Sequence, residues 1–192
     1  MVDLSLNGGL GDVIAGQKNI QLIDQVCEKV TAIKHGNNNS IWVIAHRWNS
    51  YDFHAYLISP LGGLDPSPVI SSVGSFQGGE IYNARGYLKA AASGEKIAMA
   101  VNGYYVFDPA ANYVEIFDFD DMTGVLSNPI KIDGFSANDS AYGVEFSPNS
   151  KYLYVSERSS YGKLYQFNVE SNSPSAIPVS YTHLTLPTTP YV

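Results

Sequence analysis

The chain has 192 residues, 45% of them hydrophobic and 15% charged, and its 18 acidic against 11 basic residues give a formal net charge of −7. That length can bury a sizeable core, while singly scattered Lys and Arg exclude the clustered cations that nucleic acid or an anionic membrane requires. The sequence has no run of about 18 apolar residues to cross a bilayer, and the single Cys27 excludes an internal disulfide framework and any multi-cysteine zinc site.

Met1-Val2-Asp3-Leu4 shows no basic segment followed by an apolar stretch, so no secretory signal is read there. Leu4-Ser5-Leu6-Asn7 and the glycine-rich Gly8–Gly16 fit the end of one structural unit and its connection to the next. The glycines invite a phosphate-loop reading, but there is no GKS or GKT ending and no G-x-G-x-x-G spacing. Residues 1–29 are therefore assigned to a preceding unit and a linker, with Asn19–Lys29 a short helical or extended connection and no strong period over Gln17–Gln25.

A repeat then begins. Residues 32–44, 88–100 and 144–156 align, so that Ile41, Ile97 and Leu153 are spaced by 56 residues. Each unit reads as an extended segment, a polar turn, and an apolar segment rich in β-formers. A third extended piece follows in each: Ala55-Tyr56-Leu57-Ile58, Ile116-Phe117-Asp118-Phe119 and Leu164-Tyr165-Gln166-Phe167. A fourth is Pro68–Val73, Pro129–Ile132 and the stub Ala176-Ile177-Pro178, with Gly62-Gly63, Thr123-Gly124 and Ser171-Asn172 at the turns. The middle unit is longest because it holds Asn102-Gly103-Tyr104-Tyr105 and Asp108-Pro109.

Four short strands per unit is the make-up of a propeller blade. Ile41–Ala45, Ile97–Val101 and Tyr152–Val155 are near-continuous apolar runs, which means both faces of each strand are buried. A two-sheet sandwich would leave one face polar. The predicted fold is all-β, an incomplete β-propeller of about three four-stranded antiparallel blades over residues 30–83, 84–138 and 139–178. Since closed propellers need about 4–8 blades, the two terminal faces are expected to be apolar, without polar capping.

Individual motifs carry little chemistry. Asp118, Asp120 and Asp121 with Gly124 suggest a calcium loop, but Asp118 alternates with Phe117 and Phe119 as a strand residue and Asp120–Gly124 reads as a hairpin turn. His46 and His54 flank the Arg47–Asp52 turn, where a polar-aromatic loop could touch a ligand, yet no third ligand stands at metal spacing; His35 is isolated. Ser156-Glu157-Arg158 is read as the counterpart of Ala45-His46-Arg47, with the recurring Arg marking shared hairpin geometry. Asn38 and Asn138 begin N-x-S patterns of low information, and no nucleophile elbow is present. No catalytic, cofactor-binding or metal-binding residue is assigned, and no cofactor is expected.

Val179–Thr188 is what the DNA string GTC TCT TAT ACA CAT CTG ACG CTG CCG ACG encodes, which resembles a transposon-type sequencing adapter read in one frame. Residues 179–192 are therefore expected to be a non-native tail, with the natural protein continuing differently past Pro178 and His183 playing no part in chemistry.

Gly143–Ser156 resembles the F-S-P-D-G-K-x-L-Y-V signature of WD-repeat-like and YVTN-type β-propellers, with Asn149-Ser150 where that pattern prefers Asp-Gly. Ala91–Lys96 and Gly36–Asn39 replace the same turn in the other units. Together with Asn7–Asp12, Trp42–His46 and Phe117–Asp120, the chain is also similar to propeller regions of large surface proteins sorted by type IX secretion or associated with gliding motility. The resemblance implies an extracellular or cell-surface fragment that acts as a non-catalytic interaction module. Its expected partners are a protein or glycan ligand and the remaining blades of the same protein, with no nucleic acid and no membrane insertion. The alternative is a fragment of a lactonase-like propeller enzyme.

Deleting residues 179–192 is expected to leave the melting midpoint within a few degrees of the full chain, because any effect comes from uncovering a sheet edge, which accepts any extended segment. Thermal unfolding followed by circular dichroism checks this; a large loss of folded structure would show the tail to be an integral strand.

Overall fold

Three antiparallel meanders follow one another along the chain, each with strands that alternate or run apolar as the sequence pattern requires. The computed structural model describes residues 2–16, 18–103, 111–135, 140–158 and 163–170, together with the backbone of 179–181. Tyr104, Tyr105, Asp108, Pro109, Asn138, the Ser171-Asn172 turn, the 176–178 stub and His183 lie outside the described residues. At the start, β1 (Val2–Asp3) pairs with β2 (Asp12–Val13) around a turn at Leu6–Gly9 in which Asn7 and Gly8 adopt left-handed backbone.

The first blade contains β3 (Val26–Lys34), β4 (Ile41–Arg47) and β5 (Ser50–Ser59), a short β6 (Gly63–Leu64) folded against the end of β5, and β7 (Val69–Gln77) along the rest of β5. The second is β8 (Leu88–Ala90), β9 (Lys96–Asn102), β10 (Asn112–Asp120) and β11 (Val125–Ile132). The third is β12 (Ser140–Phe146), β13 (Tyr152–Arg158), β14 (Leu164–Asn168) and β15 (Val179–Tyr181), whose backbone pairs with Tyr165–Phe167. The architecture is an open, incomplete propeller whose second and third blades have four strands and whose first has the short β6 as a fifth.

The 56-residue interval holds at the level of hydrogen bonds. Ile41, Ile97 and Leu153 each face the last residue of the first strand (Lys34, Ala90, Phe146) and an apolar residue of the third (Ile58, Phe117, Phe167). The turn before each second strand is also the same: Asn38 N–H donates to His35 O at 2.8 Å, Gly94 to Ala91 at 3.1 Å and Ser150 to Ser147 at 2.8 Å. All three donors have positive φ (61°, 85° and 58°), a conformation that glycine adopts without steric cost and that Asn38 and Ser150 also take here.

The core lies between blades. Trp42, Ile44 and Phe53 of the first blade pack with Ile97, Met99 and Phe117 of the second. On the other face of the second blade, Ala98, Ala100, Val114 and Ile116 receive Leu153, Val155 and Phe167 of the third. Ile97 through Asn102 are all buried, because the central blade has no wet face. Polar groups cross the same seams: Trp42 Nε1 donates to Asp121 O at 2.8 Å, Leu126 N to Ser71 Oγ at 2.9 Å, and Asn102 Nδ2 to Ala141 O at 3.2 Å. Gly124, with φ 78°, lets the β10–β11 turn lie flat on the Trp42 ring; a Cβ there would stand 2.9 Å from it.

The terminal faces differ from the apolar, uncapped surfaces the sequence suggested. Where the second blade turns Ala98, Ala100 and Ile116 toward its neighbour, the third has Tyr154, Ser156 and Gln166, at the same rungs. On the first blade, Ile41 is 44% exposed, but residues 22–25 cross that face. The Tyr56 hydroxyl donates to Leu22 O at 2.9 Å, Trp48 N–H to Gln25 O at 2.7 Å, and Arg47 pairs with Asp24 at 3.4 Å. One end is thus polar and the other partly strapped.

Phe117 is fully buried and meets Phe53 edge to face across the first seam, with centroids 4.9 Å apart. Phe117→Ala is expected to cost about 3–5 kcal/mol through the cavity it leaves, measured by urea unfolding. A loss below about 1 kcal/mol would mean the two blades do not depend on this contact.

Candidate functional site

The second strands end, and the first strands begin, at one rim of the propeller. Polar residues collect there because of an irregularity in β3. Between Val26 and Val30 the pairing with β4 shifts by two residues, setting Cys27, Glu28 and Lys29 against His46 alone; a bulge of this kind re-aims side chains. Lys29 is turned fully inward, where its ammonium donates to the carbonyls of Asn83 and Arg85, both at 2.9 Å. Burial pushes its pKa down to about 8, against the opposing influence of Cys27 and Glu28. Burial also raises the Cys27 thiol.

Lys29 holds the connection that follows β7, and this places Gly86 and Tyr87 beside Glu28. The Gly86 N–H donates to Glu28 Oε1 at 2.9 Å. No side chain fits at Gly86, since a Cβ would collide with the Ala100 carbonyl. Burial raises the pKa of the Tyr142 phenol, and then the nearby Glu28 carboxylate does, with Tyr87 adding to the effect and Arg158 opposing it. Tyr87 and Tyr142 have ring centroids 5.4 Å apart, and Tyr87 N–H donates to Tyr142 O at 2.9 Å. On the same first strands, Lys89 pairs with Glu145 at 2.9 Å. The first strands of neighbouring blades therefore carry an acid, two phenols and an ion pair, with Arg158 close by at the end of β13.

His46 and His54 do not converge. His46 lies opposite Phe53, and His54 opposite Ala45, so the two rings fall on opposite faces of the sheet. His46 is fully buried, stands edge-on to Phe53 at 4.4 Å and contacts Arg47 O through Nδ1 at 2.8 Å. A carbonyl accepts only, so Nδ1 carries the proton and Nε2 is left bare and without a hydrogen-bond partner. Burial lowers its pKa to about 4 despite the Arg47 carbonyl. His54 faces Asp24 and Arg47 beneath the 22–25 segment, and burial lowers its pKa too. His35, at the opposite end, stacks on Trp42 at 5.4 Å.

The Arg recurrence read from the sequence is off by one position. Counting from Ile41 and Leu153, Arg158 occupies the rung of His46, not of Arg47, and Asn102 fills it in the middle blade. A shift of one residue puts a side chain on the other face of a strand. Asp118 binds Lys96 and Asn128, both at 2.9 Å; burial opposes its ionisation, but these two partners outweigh it and keep the carboxyl below its usual value. Asp120 accepts from the Met122 and Thr123 N–H groups of the hairpin turn. Among the described residues, no group of three or more His, Cys, Asp or Glu is placed to hold a metal ion.

Sequence reasoning missed Glu28, Lys29, Tyr87 and Tyr142. The second strands keep the 56-residue interval, but β3 is bulged after Val26 and β12 between Ala141 and Gly143. The first strands consequently drop out of register with the repeat near the rim, and their side chains no longer align in the sequence.

No family model matches the chain and no curated protein does, so its likeness to sorted surface propellers rests on its motifs alone. Among solved structures, the chain is similar to a Bacteroides fragilis protein proposed to be a 6-phosphogluconolactonase. The TM-score is 0.50 at 15% identity, over 78% of this chain and 36% of that one. The fold is β-propeller-like. A Bacteroides uniformis protein, also proposed to be a 6-phosphogluconolactonase, aligns at TM-score 0.48 and 18% identity over 80% of this chain and 39% of that one. Hydrazine synthase of Kuenenia stuttgartiensis aligns at 0.41 and 11% over 88% and 53%. The chain thus spans 36–39% of the length of the two Bacteroides proteins, and at these identities the likeness concerns fold alone.

The burial of His46 has a pH consequence. Its folded pKa of about 4 lies below the usual 6.5, so between those values the unfolded chain takes up a proton that the folded one refuses. Stability is full above about pH 6.5 and is lost as the pH falls toward 4, by roughly 3 kcal/mol for this group. His46→Asn, which copies Asn102, is expected to flatten that part of the curve in urea titrations from pH 7 to 4. An unchanged slope would remove His46 as the cause.

Proposed function

We propose that the chain contributes three blades to a larger lactonase-type propeller, and that Glu28, Tyr87, Tyr142 and Arg158 are its share of a site that hydrolyses a sugar lactone. The observation that carries this reading is the Glu28 carboxylate, held by the Gly86 N–H next to the neighbouring Tyr87 and Tyr142 rings at the start of the first strands, where a closed ring would have its channel. Lactone hydrolysis needs a base for water and a donor for the carbonyl oxygen. Glu28 takes a proton as water oxygen bonds to the lactone carbonyl carbon, while the Tyr142 hydroxyl turns to the carbonyl oxygen. The ring C–O bond then breaks, the ring oxygen leaves as a hydroxyl with the proton returned by Glu28, and the new carboxyl group ionises. Each turnover releases one proton, and Arg158 attracts the carboxylate product.

The name of the Bacteroides fragilis neighbour supports the same substrate class, although propellers host many functions. The reading as a non-catalytic surface module for protein or glycan, outside the cell, gains no support from the three structures named above.

In the full-length protein, glucono-1,5-lactone and its 6-phosphate are expected to release protons faster than spontaneous hydrolysis in a pH-stat. Glu28→Gln keeps the Gly86 hydrogen bond and is expected to lower kcat/KM by about 100-fold or more, and Tyr142→Phe by about 10-fold. Equal rates in Glu28→Gln and wild type would overturn the assignment.

A further inference from the structure

Outside the channel, a cavity of about 330 Å³ opens between β7 of the first blade and β10 and β11 of the second. Ser75 and Gln77 line it from one blade, Tyr113 and Lys131 from the other, with Phe76 at its mouth. Gln77 is 1% exposed; its amide nitrogen donates to the Tyr113 hydroxyl at 2.9 Å and to Ser75 O at 3.3 Å. Its Oε1 is buried and has no hydrogen-bond partner. A buried acceptor left unmet costs about 1–3 kcal/mol, so the cavity favours a ligand that brings a donor.

The rest of the lining narrows the class. Ser75 is held in place by its Oγ and N–H, which donate to the buried Glu115 at 2.8 and 3.2 Å. The Lys131 ammonium sits 4.2 Å above the Tyr113 ring and pairs with Asp133 at 3.2 Å. Glu115 disfavours an anion and Lys131 a cation, so the ligand is neutral. Hydroxyl groups both donate to Gln77 and accept from Lys131, whereas a purely apolar ligand would leave Oε1 unmet. Phe76 is 48% exposed, with its ring tilted against that of Tyr51 at 5.3 Å, and the pair gives the C–H side of a sugar an aromatic surface. The volume is at the lower end of small-molecule sites, about 300–1,000 Å³, which suits one ring.

We propose that this cavity between the blades is a binding site for a single neutral pyranose, free or at the end of a glycan. It uses none of the channel residues and stands or falls separately from the lactonase reading.

Saturation-transfer NMR and calorimetry of the full chain with methyl β-D-glucopyranoside, methyl α-D-mannopyranoside and N-acetylglucosamine test it. At least one is expected to bind saturably. Gln77→Met keeps the volume but removes the acceptor, and is expected to weaken that binding at least 10-fold. Phe76→Ala, at a half-exposed position, is expected to weaken it several-fold with an unchanged melting midpoint, and it decides the matter if Gln77→Met fails to fold. No saturable binding of any of the three sugars, or wild-type affinity in the folded variants, would overturn the proposal.

Discussion

A β-sheet that is apolar on both faces cannot stand in water, and this constraint governs the molecule. The second blade meets it with bulky Ile97, Met99 and Phe117 on one side and small Ala98 and Ala100 on the other. The neighbours complement these choices. Trp42 and Ile44 lie against the bulky side, while Leu153, Val155 and Phe167 fill the space left by the alanines. At about 25 cal/mol per Å² of buried apolar surface, these seams are the main source of stability. They also set the blade spacing, and with it the positions of all three first strands.

The rim depends on that spacing. A charged ammonium buried without compensation would be prohibitive, and Lys29 is tolerable only because two carbonyls of the β7–β8 connection meet it. The contact works in both directions. The bulge that turns Lys29 inward turns Glu28 outward, and the loop captured by Lys29 delivers the Gly86 N–H to the Glu28 carboxylate. The polar cluster on the first strands is therefore a product of packing between blades and does not arise within any single blade. His46 shows the complementary cost, a neutral imidazole held in the seam with one nitrogen unmet.

The two ends of the array are built differently. The first blade presents Ile41 beside a polar strap, whereas the third presents Tyr154, Ser156 and Gln166 where the middle blade has alanine and isoleucine. Repeat arrays commonly end in a polar face, and the outer face of the third blade is more polar than the two seams inside the chain.

The 56-residue interval, the apolar runs of the second strands and the turn chemistry at Asn38, Gly94 and Ser150 were all legible in the sequence. Each reflects local rules, namely side-chain alternation along a strand and the steric limits on positive φ. They were sufficient for the blade architecture and for the equivalence of Ile41, Ile97 and Leu153. The candidate site was not legible. The bulges in β3 and β12 moved Glu28 and Tyr142 off the repeat, and the partners that Lys29, Gln77 and Glu115 find across the seam lie at least 36 residues away in sequence. The sequence by itself determined which residues form strands and where they turn. Tertiary structure decided which polar groups meet, because that depends on the packing of one blade against the next and on a shift in strand pairing that no local pattern records.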